Sequence, residues 1–503
     1  IEIPDEYKNI GSKLVNVNVN GNDIKIVRTW ALSKYREQKV SASSAFIYDK
    51  NSSVQQQYNG SGQISISLKK GEKFFFTLLG AVCTGRDFID PYNESDREVI
   101  YGAKEGLTRL MDGHRKLWNE MWKGDIVIEG DDEAQRTVRF ALYNLYSNAR
   151  KGSRLSIPPF GLSSQGYNGH IFWDTEFWMY PPMLFMNQGI ARTMMDYRTD
   201  RLEAACQKAL SYGYDGAMFP WESDDAGEEA CPTWALTGPF EHHITADIAI
   251  AAWNYYCMSG DQRWLREEGF PLMEKVAEFW VSRVEKNDDG SYSIRNVVCA
   301  DDNAFTNGTV IRALQDAAKA ASICGLKAPV IWKEIAAKLR IPKFENGVTM
   351  EYDGYNGQVI KQADANLLVY PLNLITRPEE IRKDLEYYEG KIDKGGPAMS
   401  FSVLALQYAR LGEGDKAYEL FVQSFRPNQL PPFGVLSEGA GGTNPYFSTG
   451  AGGLLQAVIN GFCGLEITDS GIKQLPSKLP GHWKKLVVKG VGPDGKTYVR
   501  LQK

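Results

Sequence analysis

From Asp131 to about Gly461 the chain reads as a succession of amphipathic helices joined by loops rich in Gly, Pro and Asp, and this long helical run limits the folds open to it. Candidate helices begin near Asp132, Trp173, Gln188, Ile244, Asp261, Asn303, Val330, Ala363, Pro378, Pro397, Asp415 and Gly450; the third runs to about Leu210 and the fifth to about Glu285. They are of ordinary length and carry no heptad repeat. Such a set fits a mainly α fold, an (α/α)6 barrel in which inner and outer helices alternate and the loops at one end form a cleft; an irregular all-α bundle is the alternative.

The flanks have a different period. Ile1 to about Thr84 alternates in short runs (KLVNVNVN, DIKIVRTW, GQISISLKK, KFFFTLLGAV) broken by NGND and NGSG, the pattern of antiparallel strands. Between Asn93 and about Gly124 the apolar residues fall at helical spacing, which predicts linker helices. After Cys463 the runs GLEIT, GIKQLP, KKLVVKGV and KTYVRLQK predict a small closing sheet. The expected division is therefore a β-sandwich portion at 1–90, a helical linker at 91–130, the helical domain at 131–462 and a C-terminal β-sheet at 463–503. A chain of 503 residues is long enough for a large core with accessory layers.

The formal net charge of −5, without a basic cluster, argues against nucleic acid or an anionic membrane as partner. There is no long apolar span, and no signal peptide is visible; the start at Ile1 suggests a processed or trimmed product, and the compartment is not read, periplasm and cytoplasm both fitting. The seven cysteines (Cys83, Cys206, Cys231, Cys257, Cys299, Cys324, Cys463) lack CxxC spacing, so buried free thiols are expected rather than a zinc site or disulfide framework. No cofactor is expected, and homodimer formation is left open.

Twelve Trp and 25 Tyr are what a sugar-holding protein uses, and five aromatic rings gather at Gly166–Trp178, GYNGHIFWDTEFW, around Asp174 and Glu176. Flat apolar faces suit sugar rings, while carboxylates accept hydroxyl hydrogen bonds or move protons; a helix start with a buried aromatic face is the bland alternative. Five further segments carry polar groups. FPWESDDAGEEACP offers Trp221, Glu222, Glu228 and Glu229. EHHITADIA has His242 and His243, adjacent and so poorly disposed to chelate a metal, with one His able to reach the cleft. NVVCADDNAFTN places Asp301, Asp302 and Asn303 before a helix, where capping accounts for at least one Asp. GQVIKQADANLLVYP sets Lys361 and Gln362 at a helix entrance, and the Gly-rich Pro431–Gly453 loop holds one carboxylate, Glu438. Neither a phosphate-binding glycine loop nor GxSxG occurs.

GHIFWDTE, YRTDRLEAACQKALSYGYDGAMFPWES, HHITADIAIA, DNAFTN, KQADANLLVYPL and the Glu438 loop together resemble glycoside hydrolase family 65, from about Ala134 to the C-terminus. The resemblance implies an N-terminal β-sandwich, a helical linker, an (α/α)6 barrel and a C-terminal sheet. It also implies inverting cleavage of an α-glucoside, with Trp173 and Asp174 gripping glucose, Lys361 and Gln362 holding its other hydroxyls, and Trp221, Glu222 and His243 completing the substrate site. The VVCAD and LSEGAGGTNP segments are similar to the kojibiose-hydrolysing branch, so an α-1,2-linked glucoside is the first expected substrate.

Hydrolysis by inversion needs an acid on the leaving oxygen and a base carboxylate roughly 6.5–9.5 Å away to activate water. Phosphorylases of the family use phosphate as nucleophile and need donors there. Gly434–Gly453 contains no Lys, Arg or His, so Glu438 is expected to be the general base of a hydrolase, with a phosphorylase as the alternative. Two departures stand out. The family's general acid is a Glu in a short loop before the DNAFTN helix, yet no Glu lies between Glu285 and Glu334. Asp301 or Asp302 substitutes, the chain is a non-catalytic sugar-binding relative, or a loop between Ala300 and Asn303 is missing from this sequence, the last being expected. The N-terminal strand region is also about half the length a sandwich needs, so an N-terminal portion is expected to be absent.

Overall fold

The alternating runs at the start of the chain become an antiparallel sheet. In the computed structural model, which describes residues 7–19, 21–33, 38–48, 55–58, 62–162, 166–298, 300–362 and 364–502, two compact units are distinguished, Ile1–Glu120 and Met121–Lys503.

In the first unit the strands Tyr7–Val19, Asn22–Ser33, Lys39–Tyr48 and Phe76–Thr84 pair in that order. Lys39–Tyr48 escapes the alternation rule because its buried face carries Ser41, Ser43 and Ala45 rather than large apolar residues. Ser43 Oγ donates to Asp96 at 2.6 Å and shares a hydrogen bond with Ser95 at 2.8 Å, so a polar seam joins this strand to the helix Pro91–Glu105. GQISISLKK yields only the short strand Gly62–Ser65, paired with Gln55–Tyr58. Asp90 caps the helix by accepting from Asn93 N at 3.1 Å, and Val99 packs on Val19, Ile24, Ile26 and Ala45. A second helix, Leu107–Met121, follows.

The second unit is helix-rich with a few small sheets. Its helices begin within about three residues of the expected starts, because caps and prolines mark them locally: Asp131 accepts from Ala134 N, Asn187 from Ile190 N and Asn303 from Thr306 N. Two expectations need correction. The run Gln188–Leu210 is two helices, Gln188–Thr199 and Leu202–Ser211. The chain opens between them where Arg201 stacks over Tyr197 at 3.7 Å and donates to the carbonyls of Tyr197 and Asp225, tying the Trp221–Asp225 loop to this turn. The helix expected from Ala363, a residue outside those described, is a single 3-10 turn, Ala365–Leu368.

The closing sheet also draws on an earlier segment. Lys485–Val491 pairs with Lys496–Leu501 on one side and with Asp125–Glu129 on the other, and Leu465–Thr468 and Gly471–Gln474 form a separate hairpin. The alternation in five residues of DIVIE is too short to read from sequence. Of the six described cysteines, Cys83 and Cys463 are buried and four are half-buried, all free, so the expectation of buried thiols holds for two; Cys299 lies outside the described residues. Among the described residues no helix is long and apolar enough to cross a membrane.

Candidate active site

Glu438, Lys361 and the pair Tyr167 and Asp174 come from three separate segments and meet at one place. The Glu438 backbone is fixed first: its carbonyl accepts from Asn428 Nδ2 at 2.7 Å and from Ala398 N at 3.0 Å. Its side chain, about one-third exposed, then receives the Tyr167 hydroxyl on both oxygens, at 3.2 and 3.0 Å, with Lys361 Nζ 4.0 Å from Oε1. Burial and the adjacent carboxylate push the Tyr167 hydroxyl well above its ordinary pKa, so it stays a donor.

Tyr167 is a functional candidate that the residue patterns did not single out. It sits at φ 51° beside Asn168 at φ 53°, an arrangement costing roughly 1–3 kcal/mol per residue. A Cβ on Gly166 would lie 2.5 Å from the Phe160 ring, so only glycine lets the chain turn this closely. The ring is then gripped by Phe160 and Phe172, at 5.7 and 5.1 Å. The local signal was the pair of turn-forming residues Asn168 and Gly169.

Trp173 and Asp174 are buried at the start of the helix Thr175–Met186. Asp174 Oδ1 accepts from Thr449 Oγ1 at 2.6 Å. Burial pushes the Asp174 carboxyl up to about 6; Thr449 and Lys361 oppose the shift and Glu438 adds to it. Thr449 reaches it because the STGAGG glycines allow close helix packing: a Cβ on Gly452 would sit 2.3 Å from Trp178 O. Gln456 Nε2 fastens the same contact by donating to the carbonyls of Phe177 and Trp178.

Glu176, two residues from Asp174, has the opposite fate. It is buried and paired with Arg198 at 2.8 and 2.9 Å, a structural ion pair rather than an acid or base. Glu229 is likewise committed: it accepts from the amides of Trp221, Glu222 and Cys231 and from Lys208 Nζ, and so shapes the loop that presents Trp221 and Glu222. Glu222 is buried against His170 Nδ1 at 2.7 Å. Trp221 lies nearly perpendicular to the rings of Phe172 and His243.

The two adjacent histidines differ sharply. His242 donates from Nε2 to Pro239 O at 2.8 Å and accepts Arg283 Nε on Nδ1, and burial pulls its pKa down to about 3, so it is neutral. His243 has both nitrogens on carboxylates, Nδ1 at 2.7 Å from Asp247 and Nε2 at 3.2 Å from Glu241. Despite burial, Asp247 and Glu241 raise it to about 10. Asp364, which sequence patterns passed over, lies among these groups and is pushed by burial to about 7.

Lys361 is two-thirds exposed and so open to a ligand hydroxyl, while the buried Gln362 Oε1 has no hydrogen-bond partner among the described residues. Asp301 Oδ1 accepts from Asn296 N at 2.7 Å, and the buried Asp302 Oδ1 accepts from Ile294 N and Asn307 Nδ2, both at 3.0 Å. Both carboxylates therefore hold the loop before the helix Ala304–Ile323, and the cap itself is Asn303. Among the described residues no group of three His, Cys, Asp or Glu side chains could hold a metal ion.

Residues 139–357 match a model of the glycosyl hydrolase family 65 central catalytic domain. The chain is 49% identical, over 516 aligned positions, to a kojibiose hydrolase of Flavobacterium johnsoniae, covering 99% of this chain and 76% of that protein. It is 36% identical to a protein-glucosylgalactosylhydroxylysine glucosidase of Dictyostelium discoideum, covering 86% and 63%. In fold it is similar to a solved structure described as a putative kojibiose phosphorylase from human microbiome, with TM-score 0.77 at 17% identity, over 97% of this chain and 73% of that one.

Proposed function

We propose that this chain, which belongs to glycoside hydrolase family 65, is an inverting α-glucosidase that releases glucose from a short α-1,2-linked glucoside, kojibiose being the first substrate to try. Glu438 is the general base in this reading. It accepts a proton from water as the water oxygen attacks the anomeric carbon; the glycosidic C–O bond breaks, and the leaving oxygen takes its proton from a carboxylic acid on the opposite face. Two carboxyl groups and water suffice, without a cofactor.

The observation that carries the proposal is the Tyr167 hydroxyl aimed at both oxygens of Glu438. It orients a carboxylate at a partly exposed position, in a loop whose residues 434–453 offer no cation to a phosphate nucleophile. Trp173, Asp174, Lys361 and Gln362 hold the glucose, with Trp221 and Glu222 on the facing loop. The general acid in this reading sits on a loop between Ala300 and Asn303 that this sequence lacks, with Asp301 or Asp302, each of which accepts a backbone amide, as the fallback. The helices form an (α/α)6 barrel, flanked as residues 1–90, 91–130 and 463–503 divide.

Glucose release from kojibiose, measured with and without inorganic phosphate, tests this. Phosphate-independent release with β-glucose formed first is expected, and a strict phosphate requirement would overturn the hydrolase reading. A second reading, a sugar-binding relative without turnover, is favoured by the commitment of both Asp301 and Asp302 to structure; glucose binding with no release from any α-glucoside would establish it.

A further inference from the structure

His243 is the first residue of the helix His243–Ser259, and three aromatic rings from three other segments meet it edge to face. Trp173 lies at 5.1 Å and 80°, Trp221 at 5.4 Å and 77°, and Phe305 at 4.9 Å and 69°. The imidazole is 5% exposed. Each of its nitrogens faces a carboxylate oxygen, and a carboxylate only accepts, so both nitrogens carry hydrogen and the ring is a cation. A planar cation with both ends tied cannot rotate, so it holds a fixed, nearly perpendicular orientation to both tryptophan rings.

We propose that His243 is a positioning residue for the sugar grip: clamped between Glu241 and Asp247, it fixes Trp173 and Trp221 relative to one another and does not itself touch the substrate. The inference rests on the glucose-binding role given to Trp173 above. Trp173 and Trp221 are 48 residues apart on different segments. The two rings share His243 as a common support, and Trp173 is further wedged by Phe177, Trp178 and Phe305. A sugar held between ring faces loses affinity when either face tilts, so the rigidity of the support passes directly into binding.

The cation also serves the carboxylates around it. Asp247 and Asp364 are both raised by burial, and in each the positive His243 is the first charge that counters the rise. Without it, Glu241, Asp247 and Asp364 would face one another in a desolvated space, together with the buried Glu176, whose own partner is Arg198. Neutral replacement of His243 therefore loosens the tryptophan pair from beneath as well as removing its edge contacts.

Calorimetric titration of the full chain with glucose, beside steady-state kinetics on kojibiose, tests the assignment. His243→Gln is expected to weaken glucose binding roughly tenfold and to raise KM more than it lowers kcat. In a Trp221→Ala background the same change is expected to cost much less, because a ring it positions is gone. Full loss in both backgrounds would show direct contact with sugar, and unchanged affinity in His243→Gln would remove the role altogether; either result overturns the proposal. Glu241→Gln, which keeps the imidazole and removes one tie, carries the same comparison if His243→Gln does not fold. Glucose affinity is read without turnover, so an enzyme that binds glucose but never cleaves kojibiose refutes the hydrolase reading and leaves this test in force; a wild-type chain that binds no glucose refutes both.

Discussion

The Tyr167 hydroxyl donates to both carboxylate oxygens of Glu438, at 3.2 and 3.0 Å, across 271 residues of chain. A hydrogen bond to a charged group is worth about 1.5–3 kcal/mol, which corresponds to roughly tenfold to hundredfold in rate. Tyr167→Phe removes the donor and keeps the ring between Phe160 and Phe172. Glucose release should fall by that factor with little change in melting temperature; full activity would show that Glu438 needs no orientation from this side.

Glu438→Gln keeps the shape and removes the base. Turnover should drop by about 10²–10⁴ while glucose affinity stays within a few fold, as general-base losses typically do. Unchanged turnover would place the base elsewhere.

Glucose affinity should depend on pH through Asp174. Its carboxyl titrates near 6 because burial disfavours the charge, so below that pH it carries a proton and loses an acceptor for a sugar hydroxyl. Calorimetry should find tighter binding at pH 7.5 than at pH 5, and Asp174→Asn should flatten the profile at the weak end. The stability effect has the reverse sign. A folded pKa raised above the unfolded value of about 3.9 makes this group's contribution largest in acid and lost as pH rises through about 6, so Asp174→Asn should unfold no more easily than wild type at pH 7.5.

Glu176→Gln leaves the Arg198 guanidinium buried without its counter-charge. Breaking a buried pair in this way costs about 3–5 kcal/mol, so a marked fall in melting temperature is expected together with loss of activity. A melting curve like that of the wild type would mean water reaches the pair.

Gly452→Ala forces a Cβ to within 2.3 Å of Trp178 O, where no flexible side chain can give way. The helix Ser448–Gln456 must shift, taking Thr449 from Asp174; both stability and glucose affinity should drop. Gly390→Ala, with open space around the new methyl, is the matched control and should change neither.

The helical half of the chain was readable because its signals are local: a capping Asp131, Asn187 or Asn303 satisfies amides three residues away, wherever the helix goes afterwards. Lys39–Tyr48 and Asp125–Glu129 were not, since one hides serines on its buried face and the other is a strand by virtue of partners at Lys485–Val491. The family motifs also brought Asp174, Lys361, Gln362 and Glu438 forward, whereas the residue pattern alone did not separate Asp174 from Glu176.

Residue order by itself determined where helices start, which segments carry polar and aromatic groups, and the family to which those motifs belong. Only the tertiary structure decided what each carboxylate does. Glu176 meets Arg198 and becomes a strut, Asp174 meets Thr449 across 275 residues and is left to titrate near 6, and Glu438 meets Tyr167. The reason is that a carboxyl group's charge is set by its loss of water and by the groups within a few ångströms, and folding brings those neighbours from far along the chain.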